Sequence, residues 1–324
     1  MNWPEGPMSD TITLAHLSDV HLPPVRGFAL RYLNVKRGLG YLNWQRSRRG
    51  VHQRPSLDLV VADLKAQNPN YIAVTGDLIN LGLPTEYAAA MTWLEGLGPP
   101  SMVTVVPGNH DIYTVLRGDP GVARWADYMR ADAWGARFAD GGRDGFPFVR
   151  HLRSAALIGL NSAVATPPFI AAGQLGQAQI AALALILDRL GNEGVARIVL
   201  IHHPPLAGQA PWSRALRDSD QLERVLAEHG AELVLHGHNH SDGYIDFAWR
   251  RGRIPIVGIA SGSAGRIHKH EPLGRYNLLS LTRGENGVRI ECITRGLDPT
   301  GTFIHQIHHK VFSTYAPAAS SGAA

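Results

Sequence analysis

The sequence predicts a layered α/β protein that ends in a run of β-strands. Three observations carry this. Short apolar β runs alternate with helical stretches up to residue 235, helices stop after Tyr244 while β runs continue, and five polar clusters each follow directly on an apolar run. Strands alternating with helices imply a layered core, and the terminal β series implies a second sheet packed on the first.

The elements follow in order. Ile12–Leu17 reads as a strand and Leu57–Gln67, with apolar residues at helical spacing, as a helix. Tyr71–Thr75 and Met102–Val106 read as buried strands, separated by a helix from about Thr85 to Leu97. Ala155–Leu160 (strand), Gly173–Leu190 (helix), Ile198–Ile201 (strand), Ser219–His229 (helix) and Glu232–Leu235 (strand) follow. The later β runs include Ile254–Ile259, Tyr276–Leu281 and Val288–Thr294. No internal repeat or linker interrupts the pattern. One domain over residues 9–312 is therefore expected, with a flexible Ala/Ser/Gly tail at 313–324.

Composition narrows the function. The single cysteine, Cys292, excludes an intrachain disulfide and suits a reducing compartment. It lies in an alternating run, Val288–Ile293, that favours a half-buried strand residue over a catalytic thiol. Met1–Asp10 lacks the basic start and apolar core of a signal peptide, and no apolar stretch reaches the roughly 18–20 residues of a membrane span. A cytoplasmic location is expected, peripheral at the membrane if the basic segment described below binds lipid. The net charge of +4 suits an anionic substrate, and 16 histidines exceed what solubility requires but fit metal chemistry.

The polar clusters are Ser18-Asp19-Val20-His21, Thr75-Gly76-Asp77-Leu78, Pro107-Gly108-Asn109-His110-Asp111, His202-His203-Pro204-Pro205 and Gly237-His238-Asn239-His240. In open α/β folds, sites are built at the carboxyl ends of strands. Residues two apart in an extended chain share a face, so Asp19 and His21 can grip one cation, and His238 and His240 are another pair at this spacing. Gly76 lets the backbone turn sharply. Any one cluster is readily explained as a turn or a solvated loop. Five at strand ends are not.

This series resembles the calcineurin-like metallophosphoesterase superfamily, with spacing similar to bacterial cyclic-nucleotide and glycerophosphodiester phosphodiesterases. The resemblance implies a four-layer α-β-β-α sandwich of two mixed sheets flanked by helices. It also implies two metal ions, the first held by Asp19, His21 and His240, the second by Asn109, His202 and His238, with Asp77 bridging. Mixed imidazole and oxygen ligands suit Mn, Fe or Zn better than Mg or Ca. Such a pair can hold a bridging hydroxide for in-line attack on a phosphate ester. Two divalent ions, offset by two carboxylates and a hydroxide, leave a formal charge of about +1 to meet a phosphodiester. His110, not needed as a ligand, would stabilise phosphoryl charge or protonate the leaving oxygen, and Asp111 would orient it through the other ring nitrogen. His203 is expected to support a neighbour or cap the core. Asn161 reads as a strand-end cap or a substrate contact, and Ser261-Gly262-Ser263 as a turn or a loop beside the metals.

One segment departs from the simplest pattern. Arg26, Arg31, Lys36, Arg37, Arg46, Arg48, Arg49 and Arg54 occur with no acidic residue among them, interleaved with Phe28, Tyr32, Tyr41, Trp44, Leu30, Leu33, Leu39 and Leu42. Three readings stand: a solvated helical hairpin, an interfacial element for a membrane surface or phospholipid, and a nucleic-acid contact. Its closeness to His21 places it at the mouth of the site. The expected activity is a metal-dependent phosphodiesterase acting on a lipid-linked or nucleotide ester. A phosphomonoesterase, a cyclic-nucleotide phosphodiesterase and a metal-free scaffold of the same fold are the alternatives.

Overall fold

Strand β1 (Thr11–Leu17) buries Ile12 and Leu14 and then each of its last three residues, as a strand in the interior of a sheet does. It pairs in parallel with β2 (Tyr71–Val74), Leu14 opposite Tyr71, and antiparallel with β10 (Arg275–Gly284), Leu14 opposite Leu279. With β3 (Val103–Val105), β11 (Gly287–Leu297) and β12 (Ile304–Ser313) it makes a mixed sheet in the order β12-β11-β10-β1-β2-β3. The second sheet runs β4 (Phe148–Leu152), β5 (Ala155–Gly159), β6 (Ala196–Leu200), β7 (Leu233–His236), β9 (Gly252–Gly258), β8 (Gly243–Trp249). This computed structural model describes residues 11–25, 27–29, 32–114, 118–138, 144–284 and 287–314.

The period-2 pattern sets the layers. Leu157, Ile198, Leu200, Leu233 and Leu235 face the first sheet and share a core with Leu14, Val74, Val105 and Leu279. Their neighbours Ile158, Val199 and Val234 face the other way and pack under α4 (Gln177–Asn192) and α5 (Ser219–His229). Helices α2 (Arg54–Ala66) and α3 (Pro84–Leu97) cover the first sheet through Leu57, Val60, Leu64, Ala90 and Leu94. The order is helices, sheet, sheet, helices, as the resemblance implies.

Local chemistry sets the helix ends. Pro84 occupies the first turn of α3, and the Glu86 carboxylate accepts the Leu83 N–H at 3.0 Å. Helix α4 begins at Gln177 rather than at Gly173, because Asp218 ties down the N–H groups of Leu175 and Gly176 and Gly176 adopts φ 81°. Two residues expected in the tail, Ser313 and Thr314, are paired. Ser313 pairs with Arg289, Thr314 accepts the Arg253 N–H at 3.0 Å, and residues 315–324 lie outside the described residues. Among the described residues, no helix is long and apolar enough to cross a membrane.

Between β1 and α2 the basic segment forms helix α1 (Val35–Asn43), capped by Asn34, and a π-helical turn over Trp44–Arg48. Most of its described cations are engaged. Arg37 is buried and donates to the carbonyls of Tyr32, Leu81 and Gly82, so it fastens the segment to the body. Lys36 donates to Thr166 and Arg54 pairs with Asp58. Phe28 stacks on Tyr41, and Tyr41 on Trp44. Arg26, Leu30 and Arg31 lie outside the described residues.

Candidate metal centre

The five loops leave β1, β2, β3, β6 and β7 at one end of the two sheets, and they meet there. Asp19, His21, Asp77, Asn109, His202, His238 and His240 are all buried. Asp19 and His21 are not an extended pair, contrary to expectation. Both have positive φ (51° and 40°), as do Asp77 (55°), His238 (70°) and His240 (52°). Non-glycine residues seldom adopt this region, and such strain collects at functional sites. Gly76, at φ 88°, lets the second loop pass the third: a Cβ there would lie 2.4 Å from the Gly108 nitrogen.

Hydrogen bonds fix four imidazole tautomers. A carbonyl or carboxylate oxygen can only accept, so the ring nitrogen facing it must carry hydrogen. His21 Nδ1 donates to Ile79 O (3.1 Å), His202 Nδ1 to Thr75 O (2.6 Å), His238 Nε2 to Arg214 O (2.9 Å) and His240 Nδ1 to Glu271 Oε2 (3.1 Å). In the neutral rings the inner nitrogens are therefore bare. They face each other: His21 Nε2 lies 3.2 Å from His240 Nε2, and His202 Nε2 lies 3.1 Å from His238 Nδ1. Lone pairs opposed at this distance repel unless a metal ion or a proton sits between them. Asp19 Oδ1, buried and with no well-directed hydrogen bond although His240 Nε2 is 3.1 Å away, joins the first pair. Asn109 Oδ1 lies 3.2 Å from His202 Nε2 and joins the second. Asp77 Oδ2 stands between the pairs, 3.8 Å from His21 Nε2 and 3.4 Å from His202 Nε2. These donors fit two metal ions, and outer hydrogen bonds of this kind are how ligating histidines are oriented.

Protons feel the same field. Burial opposes charge on His202, but the Asp77 carboxylate outweighs it and raises the pKa to about 9. Burial likewise opposes charge on His240, and Asp19 and Glu271 raise it to about 9. Burial depresses His21 and His238 well below the ordinary histidine value.

His110 lies beside the cluster, but Asp111 does not orient it. Its Nδ1 donates to Asn80 O at 2.5 Å, and its Nε2 accepts from Arg48 Nη1 at 3.0 Å. Burial depresses its pKa to about 4. The Asp111 carboxylate instead accepts the N–H groups of Asp77, Leu78 and Gly108 at 2.8–2.9 Å, holding the second loop against the third. Adjacent residues on one loop point apart, which is why the sequence neighbours do not pair. His203 donates to Ala171 O and contacts Ser162, away from the inner nitrogens, and Asn161 caps its own loop through the Ala163 N–H. Ser261 Oγ donates to Asp19 O at 2.7 Å, so the Ser-Gly-Ser loop does adjoin the site. Sequence reasoning missed Glu271, Arg48 as a partner of His110, and His52, whose ring lies 4.5 Å from that of His21.

The family model for calcineurin-like phosphoesterases matches residues 12–242. The chain belongs to that family. As a calcineurin-like phosphoesterase it is a hydrolase of phosphoesters, and its His/Asp groups are compatible with a dinuclear metal site. It is 26% identical over 301 residues to a probable cyclic nucleotide phosphodiesterase of a Synechococcus strain, covering 92% of each chain. It is 28% identical over 238 residues to a glycerophosphodiester phosphodiesterase of Enterobacter lignolyticus, covering 70% of each. Among solved structures, a dimetal phosphatase from Danio rerio matches with TM-score 0.57 at 14% identity, over 94% of this chain and 99% of that one. A yellow lupin purple acid phosphatase matches with TM-score 0.57 at 12% identity, over 96% and 55%. At these identities the structures speak for the fold alone.

Proposed function

We propose that this calcineurin-like phosphoesterase is a phosphodiesterase whose two metal ions are held by Asp19, His21, Asp77 and His240 on one side and by Asp77, Asn109, His202 and His238 on the other. The observation that carries the reading is Asp77 Oδ2, set between two pairs of opposed imidazole nitrogens. When bound, such a pair supplies Lewis acidity and a nucleophile at neutral pH. The imidazole-rich donors favour Mn, Fe or Zn. Support for a diester comes from the small residual positive charge and from the names of both curated relatives.

The protein's own groups do the positioning. His110, neutral and held by Asn80 O, offers its lone pair to Arg48 rather than a proton to a leaving group. Arg48 thereby presents a guanidinium beside the metal ligands, and a phosphoryl oxygen is a better acceptor for it than an imidazole. The substrate's organic part points to the α1 segment. Val35 (73% exposed), Leu39 (37%) and Leu42 (48%) recur at spacings of four and three, and the exposed Arg46 and Arg49 continue the same face. An apolar stripe ending in two cations suits a lipid-linked phosphodiester at an anionic surface better than nucleic acid, because Phe28, Tyr41 and Trp44 stack on one another.

The test combines metal analysis with bis(p-nitrophenyl) phosphate, p-nitrophenyl phosphate and a phosphodiester lipid in anionic vesicles. Two metals per chain and faster diester turnover are expected, with vesicle binding lost in the Arg46→Ser/Arg49→Ser double variant. Preference for the monoester overturns the diester reading, failure to bind metal points to a scaffold, and activity confined to soluble cyclic nucleotides overturns the lipid reading.

A further inference from the structure

His52 lies outside every ligand motif, in the stretch that leads from the π-helical turn into α2, yet it is 4% exposed. A backbone bridge to Ala264 and the bond from Gln53 N to Ser263 O fasten it to the loop after β9. Its ring centre lies 4.5 Å from that of His21 and 5.8 Å from that of His240.

Its tautomer follows from a chain of hydroxyls. The Asp19 carbonyl can only accept, so Ser261 Oγ–H donates to it at 2.7 Å. With its proton committed, Ser261 Oγ accepts from Ser263 Oγ at 3.3 Å. Ser263 Oγ, having donated, accepts from His52 Nδ1 at 2.8 Å. Ser261 Oγ, its proton committed, also lies 3.4 Å from His52 Nδ1 and can only accept there, so this chain of contacts favours the hydrogen of His52 on Nδ1 and leaves a bare Nε2 for the cluster. This is the arrangement of His21 and His240, whose Nδ1 hydrogens are also bound outside.

We infer that His52 is an additional ligand of the metal ion bound by Asp19, His21 and His240, giving that ion three imidazoles. The inference rests on the dinuclear reading above. Ligand nitrogens of His21, His52 and His240 lie within 4.8 Å of one another. Three nitrogens each about 2.0–2.1 Å from one ion in a tetrahedral arrangement lie roughly 3.4 Å apart, so ring movements of about 1 Å seat all three. The two sites then differ: three imidazoles at the first, two at the second. The first becomes the more selective for borderline transition metals over Mg or Ca. Because His52 follows Arg48 by one helical turn, the first ion also anchors the segment that carries the phosphate-facing guanidinium.

X-ray absorption at the metal edge of the Zn-loaded wild-type protein counts imidazoles directly. An average of about two and a half per ion is expected, falling to about two in His52→Ala. Zn release to a competing chelator is expected to show one of the two ions held at least about tenfold more weakly in His52→Ala, with the other unchanged. Melting of the metal-free proteins checks folding. Should His52→Ala fail to fold, the wild-type count decides, together with Ser263→Ala, which keeps the imidazole and should loosen the same ion. A wild-type count near two, or two ions held equally tightly by wild type and His52→Ala, overturns the inference and leaves the dinuclear reading intact. A wild-type protein that binds no metal overturns the dinuclear reading itself.

Discussion

Of the four imidazoles whose inner nitrogens face one another, three are oriented by backbone carbonyls, which substitution cannot remove. The fourth, His240, is oriented by the Glu271 carboxylate at 3.1 Å. Glu271→Ala therefore probes the outer hydrogen bonds of the centre at a single replaceable atom. Removing such a partner typically lowers metal affinity by about 10–100-fold. The Glu271 side chain is 27% exposed, so solvent screens part of its charge, and the lower half of that range, about 1.4–2 kcal/mol, is expected. At pH 7 some of the loss is masked. Glu271 helps raise His240 to about 9, so the substitution also weakens the proton that competes with the metal. Chelator-competition titrations at pH 7 and again near pH 9.5 separate the two effects. One ion should be held about 10–30-fold more weakly at the higher pH, less so at pH 7, and the second ion should be unaffected. Equal weakening of both ions, or none, would refute the assignment of His240 and its carboxylate to one of two distinct sites.

Arg48→Ala should leave metal content unchanged but lower kcat/KM for a phosphodiester by about 10–100-fold, the worth of a charge-assisted hydrogen bond; steady-state kinetics with parallel metal analysis reads both. With folded-state pKa values raised to about 9, His202 and His240 each hold a proton in the metal-free protein at neutral pH. Metal uptake at pH 7 should release about two protons, measured by calorimetry in buffers of different ionisation heat. The sign for stability follows: a raised folded pKa stabilises fully below about 6.5 and the effect disappears as pH rises through about 9, so metal-free protein should melt at lower temperature over that window. Far from the site, Arg197 and Glu232 form a buried, doubly hydrogen-bonded pair at 2.9 and 3.0 Å. Glu232→Gln should destabilise the protein by about 3–5 kcal/mol in urea unfolding, and a change under 1 kcal/mol would show that the pair is replaceable.

Much of the architecture was legible because apolar runs and their boundaries are local. Helix α5 matches its expected limits, since Leu222 and Leu226 mark one face and Gly230, at φ 75°, ends it. Strand β4 was not legible because Arg150 interrupts its apolar pattern, and the reason lies in tertiary structure: its guanidinium reaches the carbonyls of Arg130, Asp127 and Val103. Strand β12 carries His and Lys where a core strand would carry Val, as an edge strand does. At the centre, residue type and spacing pointed to the histidines and aspartates, but the extended-chain argument for Asp19 and His21 was mistaken, since left-handed conformations cannot be read from a motif. His52 and Glu271 were invisible for another reason. Each reaches the cluster through loop packing, His52 beside Ala264 and Glu271 through a bridge with His268, and no local spacing encodes such contacts.

The chain's only cysteine, Cys292, is buried in β11, so no disulfide ties one sheet to the other. In the proposed assignment each ion draws donors from both: Asp19 and His21 after β1 with His240 after β7, and Asp77 and Asn109 after β2 and β3 with His202 and His238 after β6 and β7. The ions are then cross-links, riveting the carboxyl ends of two sheets that elsewhere are joined mainly by apolar contact and a few hydrogen bonds such as Arg150 to Val103 O. A chelator would do more than stop turnover. It would free both sheet ends together, and amide exchange should quicken in all five loops at once rather than in the loop of any single ligand.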